Sequence, residues 1–134
     1  MNVIICLDDN NGMLFNNRRQ SRDKAVLSDA FKCLQGERLH ITPFSEGLMA
    51  DYSDSVAVCD DASSIENGQW LFCESIDLTQ LSDKIEKLVV YRWNRVYPAD
   101  LRCELDFSLF SLVDEVELEG NSHPVITKQA FVKR

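Results

Sequence analysis

A change in hydrophobic period along the chain limits its architecture more than any other feature. Its early apolar segments are short, continuous and rich in β-branched residues, as in Asn2–Leu7 (NVIICL) and in residues 69–73 and 88–93. Such runs read as strands buried on both faces, the usual state of parallel strands covered by helices. Near the C-terminus, Glu115-Val116-Glu117-Leu118-Glu119 alternates strictly. Its carboxylates are expected to face water, with Val116 and Leu118 facing the core. Gly120-Asn121-Ser122-His123-Pro124 then turns the chain, and residues 125–132 supply an antiparallel partner. An α/β sheet flanked by helices, with an antiparallel C-terminal hairpin, accommodates both periods.

The segments between these strands fit the same plan. Asp8-Asp9-Asn10-Asn11-Gly12 reads as a turn in which Gly12 supplies a positive φ, a reading preferred over Mg²⁺ or Ca²⁺ ligation because adjacent carboxylates on a turn point apart. Residues 24–35 place Val26, Leu27, Ala30, Phe31 and Leu34 at helical spacing, with Asp23 suited to the N-cap and Gly36 just past the end. Residues 38–42 and 55–59 are expected to be short strands, with Pro43 opening a helical turn between them. Residues 77–87 are expected to form a short helix and turn. The 134 residues, 45% hydrophobic and 27% charged, suit one domain over residues 1–134. A chain this long buries roughly two thirds of its unfolded surface, so it needs no metal or disulfide staple.

Charge and cysteine usage exclude several functions. With 22 acidic and 14 basic residues the formal charge is -8, and phosphate backbones or anionic lipid surfaces would be repelled. No apolar run reaches the roughly 18 residues of a membrane helix and no leader pattern precedes the first strand, so a cytoplasmic protein is expected. Cys6, Cys33, Cys59, Cys73 and Cys103 are scattered, without a Cys-x-x-Cys pair, and are expected to be reduced and mostly buried. His40 and His123 are the only histidines, too few for the usual zinc ligand sets, so no metal site is expected. His123 reads as a loop histidine without a visible partner, and Ser21 and Ser122 lie in no nucleophile-elbow motif.

The order of elements and several strings resemble the dihydrofolate reductase family in shortened, divergent form. Val3 to Gly12 is similar to the family's first strand and the glycine-bearing turn after it, and residues 24–34 sit where its first helix lies. Residues 88–93, then Tyr97-Pro98-Ala99-Asp100, then the hairpin carrying Asn121-Ser122-His123 resemble its last three strands and their connections. The resemblance implies that fold. It does not extend to the segments by which the family grips NADPH, a Gly-Arg-Thr segment and a paired-glycine turn where the backbone approaches phosphate closely. The matching regions here read His40-Ile41-Thr42-Pro43-Phe44 and Leu71-Phe72-Cys73-Glu74-Ser75. Arg19-Gln20-Ser21 replaces the Pro-Trp before the first helix, Asp23 and Asp29 are out of register with the family's helix carboxylate, and its strand threonine falls on Tyr91. No nucleotide cofactor is therefore expected.

Two basic clusters stand out in this acidic chain. Arg18, Arg19 and Arg22 precede Asp23 and Lys24 and would lie in the loop over the cleft, at a helix N-terminus whose dipole and free N–H groups favour an anion. Arg92-Trp93-Asn94-Arg95 follows an apolar strand, where α/β sheets place ligand contacts, and could clamp a planar anion. The alternative readings are a solvated loop for the first cluster and, for the second, a core Trp93 with Arg92 and Arg95 meeting Asp100, Glu104 or Asp106. Three functions follow. The first is a non-reductase domain binding a small anionic ligand through Arg18, Arg19, Arg22, Asp23, Arg92, Trp93 and Arg95. The second is a divergent NAD(P)H-dependent reductase. The third is a module that self-associates into a homo-oligomer through a strand edge or through Phe44, Tyr52, Phe107 and Phe110.

Overall fold

Strand β1, Asn2–Leu7, is the centre of the main sheet in the computed structural model, which describes residues 1–134. Its continuous apolar run suits that place, because Val3, Ile4, Ile5 and Leu7 are wholly buried on alternating faces. The remaining elements, in chain order, are β2 (Gly12–Phe15), β3 (Arg18–Arg19), helix α1 (Lys24–Lys32), β4 (Leu39–Ile41), β5 (Val56–Val58), β6 (Trp70–Cys73), β7 (Lys87–Arg92), β8 (Leu101–Arg102), β9 (Phe110–Leu118) and β10 (Ile126–Lys133). The main sheet runs β5-β4-β6-β1-β7-β10-β9, parallel from β5 to β7 and antiparallel across β7, β10 and β9. A small antiparallel sheet, β3-β2-β8, stands beside it.

The main sheet separates two apolar layers. One holds Met1, Val3, Ile5, Leu7, Leu71 and Leu88 among others, and the second packs α1 through Val26, Leu27 and Ala30 onto Ile4, Phe72, Val89 and Tyr91. No helix is long and apolar enough to cross a membrane. Helix α1 starts where Asp23 accepts from the Ala25 and Val26 amides (2.9 and 3.1 Å). It stops at Lys32, earlier than its apolar spacing suggests, and Gln35 (φ 51°) and Gly36 (φ 88°) carry the left-handed turn.

Four expectations are corrected. Asn11, at φ 61°, supplies the positive φ after β1. Gly12 is needed for closeness instead, since a Cβ there would meet the Ala99 Cβ and Gln20 Nε2 at 2.7 Å. Residues 78–84 form 3-10 turns rather than an α-helix, opened by the Asp77 carboxylate accepting from the Thr79 amide. Val116 does not reach the core: it is 45% exposed, because β9 is an edge strand beyond the reach of α1. The aromatics read as exposed contacts are engaged within the chain. Phe110 is buried, Phe107 packs on Phe131, Tyr52 stacks on Phe31 at 4.2 Å, and Phe44 lies under the Arg19 guanidinium.

Candidate functional site

Parallel strands release their loops at one edge of the sheet, the usual place for ligands in open α/β sheets. Here β1, β6 and β7 deliver Asp8, Glu74 and Trp93 to that edge. Two buried aspartates organise the loops around it. Asp8 accepts from the Asn10 and Gly12 amides on one oxygen (2.8 and 2.7 Å), and from the Tyr97 amide (2.9 Å) and the Gln20 side chain (3.3 Å) on the other. Burial alone would raise its carboxyl, but these backbone donors and the Arg102 charge hold it below the ordinary value.

Asp23 does more than cap the helix. Its second oxygen accepts from the Asn121 and Ser122 amides (2.9 and 2.8 Å) and the Ser122 hydroxyl (2.8 Å), pinning the β9–β10 loop to the start of α1. Gly120 permits the approach, since a Cβ there would come within 2.7 Å of that oxygen. Against burial, the bonds from Ser122, Asn121 and Val26 keep Asp23 below its ordinary value, so the carboxylate accepts and never donates. This fixes a direction. Ser122 donates to Asp23, so its oxygen accepts from His123 Nδ1 (2.7 Å), and His123 Nε2 accepts from the Tyr97 hydroxyl (2.5 Å). His123 stacks on Trp93 with ring centroids 4.9 Å apart. Burial pushes its pKa down, with the Asp23 charge opposing and the Arg95 charge adding. The Ser122 proton is committed to Asp23, so the Ser122–His123 contact is not a nucleophile with its base.

The cleft itself is a narrow pocket beside a wider groove. The pocket offers only about 30 Å³, space for little more than water, and its walls include Cys6, Gln20, Arg22, Phe72, Glu74 and Trp93. It is filled from within by a forked ion pair, Arg19 donating to Glu74 at 2.7 and 3.0 Å while the Ser45 hydroxyl donates to the same carboxylate at 2.7 Å. Arg19 also lies 5.1 Å over the Phe44 ring. The adjoining groove holds about 350 Å³ and shares Arg22, Asp23, Leu27 and Leu48 with the pocket. Lys24, Tyr52 and Asn121 complete much of its wall. Cys6 and Cys73 line the inner pocket, but burial pushes both thiols up, Cys73 to about 12, which leaves them without nucleophilic thiolate at neutral pH. Gln20 Oε1 is buried without a hydrogen-bond partner.

Of the residues singled out in the sequence, Arg19, Arg22, Asp23 and Trp93 meet in this cleft. Arg18 is exposed on β3, and Arg95 is exposed with its guanidinium 5.6 Å over the Tyr97 ring. Arg92 points to the other face of the sheet, where it donates to Asn11, Gln129 and the Asp8 carbonyl and lies over Phe107. Strand alternation carried that signal, since Arg92 and Trp93 are neighbours and cannot share a face. The helix N-terminus offers an anion no amide: the first four N–H groups donate to Asn121 Oδ1, the Asp23 carboxylate and the Asp23 carbonyl. Tyr97 and Glu74 were not singled out in the sequence, and His123, read there as a loop histidine without a partner, is held by Ser122, Tyr97 and Trp93. Glu74 had a readable signal, a lone acid at the end of a buried strand; Tyr97 had none locally.

The seven-stranded mixed sheet, with an antiparallel pair at its C-terminal end, has the dihydrofolate reductase-like α/β fold. Among solved structures the chain is similar to dihydrofolate reductase from Enterococcus faecalis complexed with NADP(H) and RAB-propyl. The TM-score is 0.73 at 12% sequence identity, covering 98% of this chain and 95% of that one. The likeness is one of fold. No family model matches the sequence, and no curated protein matches it.

Proposed function

We propose that residues 1–134 form a single dihydrofolate reductase-like domain that is not a reductase and binds a small anionic ligand. The observation that carries this reading is the groove of about 350 Å³ at the start of α1, whose Arg22 and Lys24 take part in no ion pair. Its volume is that of a small-molecule site. Arg22 and Lys24 hold the anionic group, Leu27, Leu48 and Tyr52 cover the apolar part, and the carboxylate of Asp51 at the rim disfavours a second negative charge. Arg19 plays a different part from the one its sequence position suggests, because its fork is already occupied by Glu74.

Two features favour this reading over a nucleotide-dependent reductase. Glu74 stands in the region where the resemblance places a paired-glycine phosphate turn, and a carboxylate there repels phosphate. The inner pocket is also too small for a nicotinamide ring while the Arg19–Glu74 pair is formed.

The test is a titration of small carboxylates and phosphates, with NADPH in parallel, followed by Trp93 fluorescence and melting temperature at low and moderate salt. Arg22→Ala is expected to weaken the best small anion about tenfold or more, the scale of one charge-assisted hydrogen bond. Unchanged affinity in that variant overturns the assignment. Saturable NADPH binding that survives moderate salt overturns the non-reductase reading.

A further inference from the structure

We infer that the outer edge of β9 is a docking strand for an extended, basic segment of a partner protein. β9 is the last strand of the sheet and pairs only with β10, so one side of its backbone is open. It is the longest strand in the chain at 9 residues, and Leu112 through Glu117 are all exposed. The register shift lies opposite Ala130 and Phe131, which leaves residues 114–118 paired regularly with Ile126 through Ala130 and straight enough to accept a further strand.

The side chains define what can dock. Val116 and Leu118 lie on one face of this segment and Glu115 and Glu117 on the other, following their partners across β10. Beyond the register shift, Leu112 (50% exposed) lies on the side of the glutamates, since it pairs with Phe131 as Glu115 pairs with Gln129, and Val113 is 58% exposed at the shift itself. No ion pair neutralises Asp114, Glu115 or Glu117, and the one nearby lysine, Lys128, is held by Asp29 at 2.8 Å. An added strand that places lysine or arginine beside the two glutamates and valine-like residues beside Val116 satisfies both faces at once.

A second copy of this chain fits poorly. Antiparallel pairing of residues 114–118 with themselves, centred on Val116, sets Glu115 against Glu117 of the other copy on both sides of the axis, and like charges directly opposite destabilise a sheet. The opposite edge offers no equivalent, since β5 has only 3 residues. The net charge of -8 further attracts a basic partner.

The experiment uses a fluorescent peptide of alternating lysine and valine, as long as β9, and its twin with alternate backbone amides N-methylated, at physiological salt. The first is expected to bind saturably and slow amide exchange along β9. The twin is expected to bind about tenfold more weakly or worse, because it keeps the charge and loses the ladder. The double variant Glu115→Lys, Glu117→Lys, both exposed positions that leave the core untouched, is expected to lose the lysine peptide and gain a glutamate–valine one. Equal binding of the methylated twin, protection away from β9, or no binding overturns the proposal. A dimer that the double variant abolishes overturns it in favour of a second copy.

Discussion

Val89 in β7 and Val116 in β9 are the same residue on the same face of the sheet, in strands separated only by β10, yet Val89 is 6% exposed and Val116 is 45% exposed. The difference lies in what covers them. β7 is sandwiched between both apolar layers, contributing Leu88 and Val90 to one and Val89 and Tyr91 to the other. α1 has 9 residues, a cylinder only about 14 Å long. Its outermost anchor is the ion pair of Asp29 with Lys128 of β10, at 2.8 Å, where Asp29 also accepts from the Tyr91 hydroxyl at 2.6 Å. Cover stops there, one strand short of β9. Alternation in a sequence specifies which side chains share a face of a strand. Whether a second layer lies over that face depends on helices encoded elsewhere in the chain.

The largest effect should come from the doubly covered region. Ile5→Ala in β1 removes buried apolar atoms from a position with no solvent exposure and is expected to cost about 2–5 kcal/mol by urea denaturation. A cost below about 1 kcal/mol would mean that the central strands are not packed as tightly as their burial indicates, and would erase the contrast with β9.

The loop-binding chemistry of Asp23 predicts a smaller effect with a defined pH signature. The folded state lowers the pKa values of His123, Asp8, Asp23 and Asp29. For each, the unfolded chain takes up its proton at a higher pH than the folded one, so stability is present above the ordinary pKa and is lost as pH falls. The losses are separated on the pH axis. The His123 contribution fades first, from about 6.5 downwards, and the aspartates follow from about 3.8. His123→Gln is expected to flatten the stability profile between neutrality and about pH 5 while leaving the acid limb intact. A slope unchanged in that variant would show that the Tyr97–His123–Ser122 chain does not hold the neutral imidazole.

Legibility in the sequence follows the range of the interactions. Asp23 as a cap was readable because its amide donors lie two and three residues away, whereas its bonds to Asn121 and Ser122 join residues nearly a hundred positions apart. The strands of the parallel region were readable because burial on both faces leaves an unbroken apolar run. The site was readable only in part. Arg19 announced a binding residue, but nothing adjacent to it announced that Glu74, 55 positions later, would occupy its fork. The reduction of residues 78–84 to 3-10 turns was not written in apolar spacing either, since Leu78, Leu81 and the buried Ile85 also suit a helix.

The smallest effect is expected at the other end of the comparison, and it is also the most discriminating. Val116→Ala removes a half-exposed side chain from the edge strand and should change stability of the isolated protein by no more than about 0.5 kcal/mol. Val and Ala differ in β propensity by only a fraction of the roughly 1 kcal/mol that the whole scale spans, so propensity does not enlarge this figure. A loss well above it, growing with protein concentration, would mean that β9 is covered in solution by another copy. A small loss in isolation that becomes large when the alternating lysine–valine peptide is bound would mean that Val116 packs against a strand added beside β9, a lateral neighbour that supplies the contacts α1 does not reach.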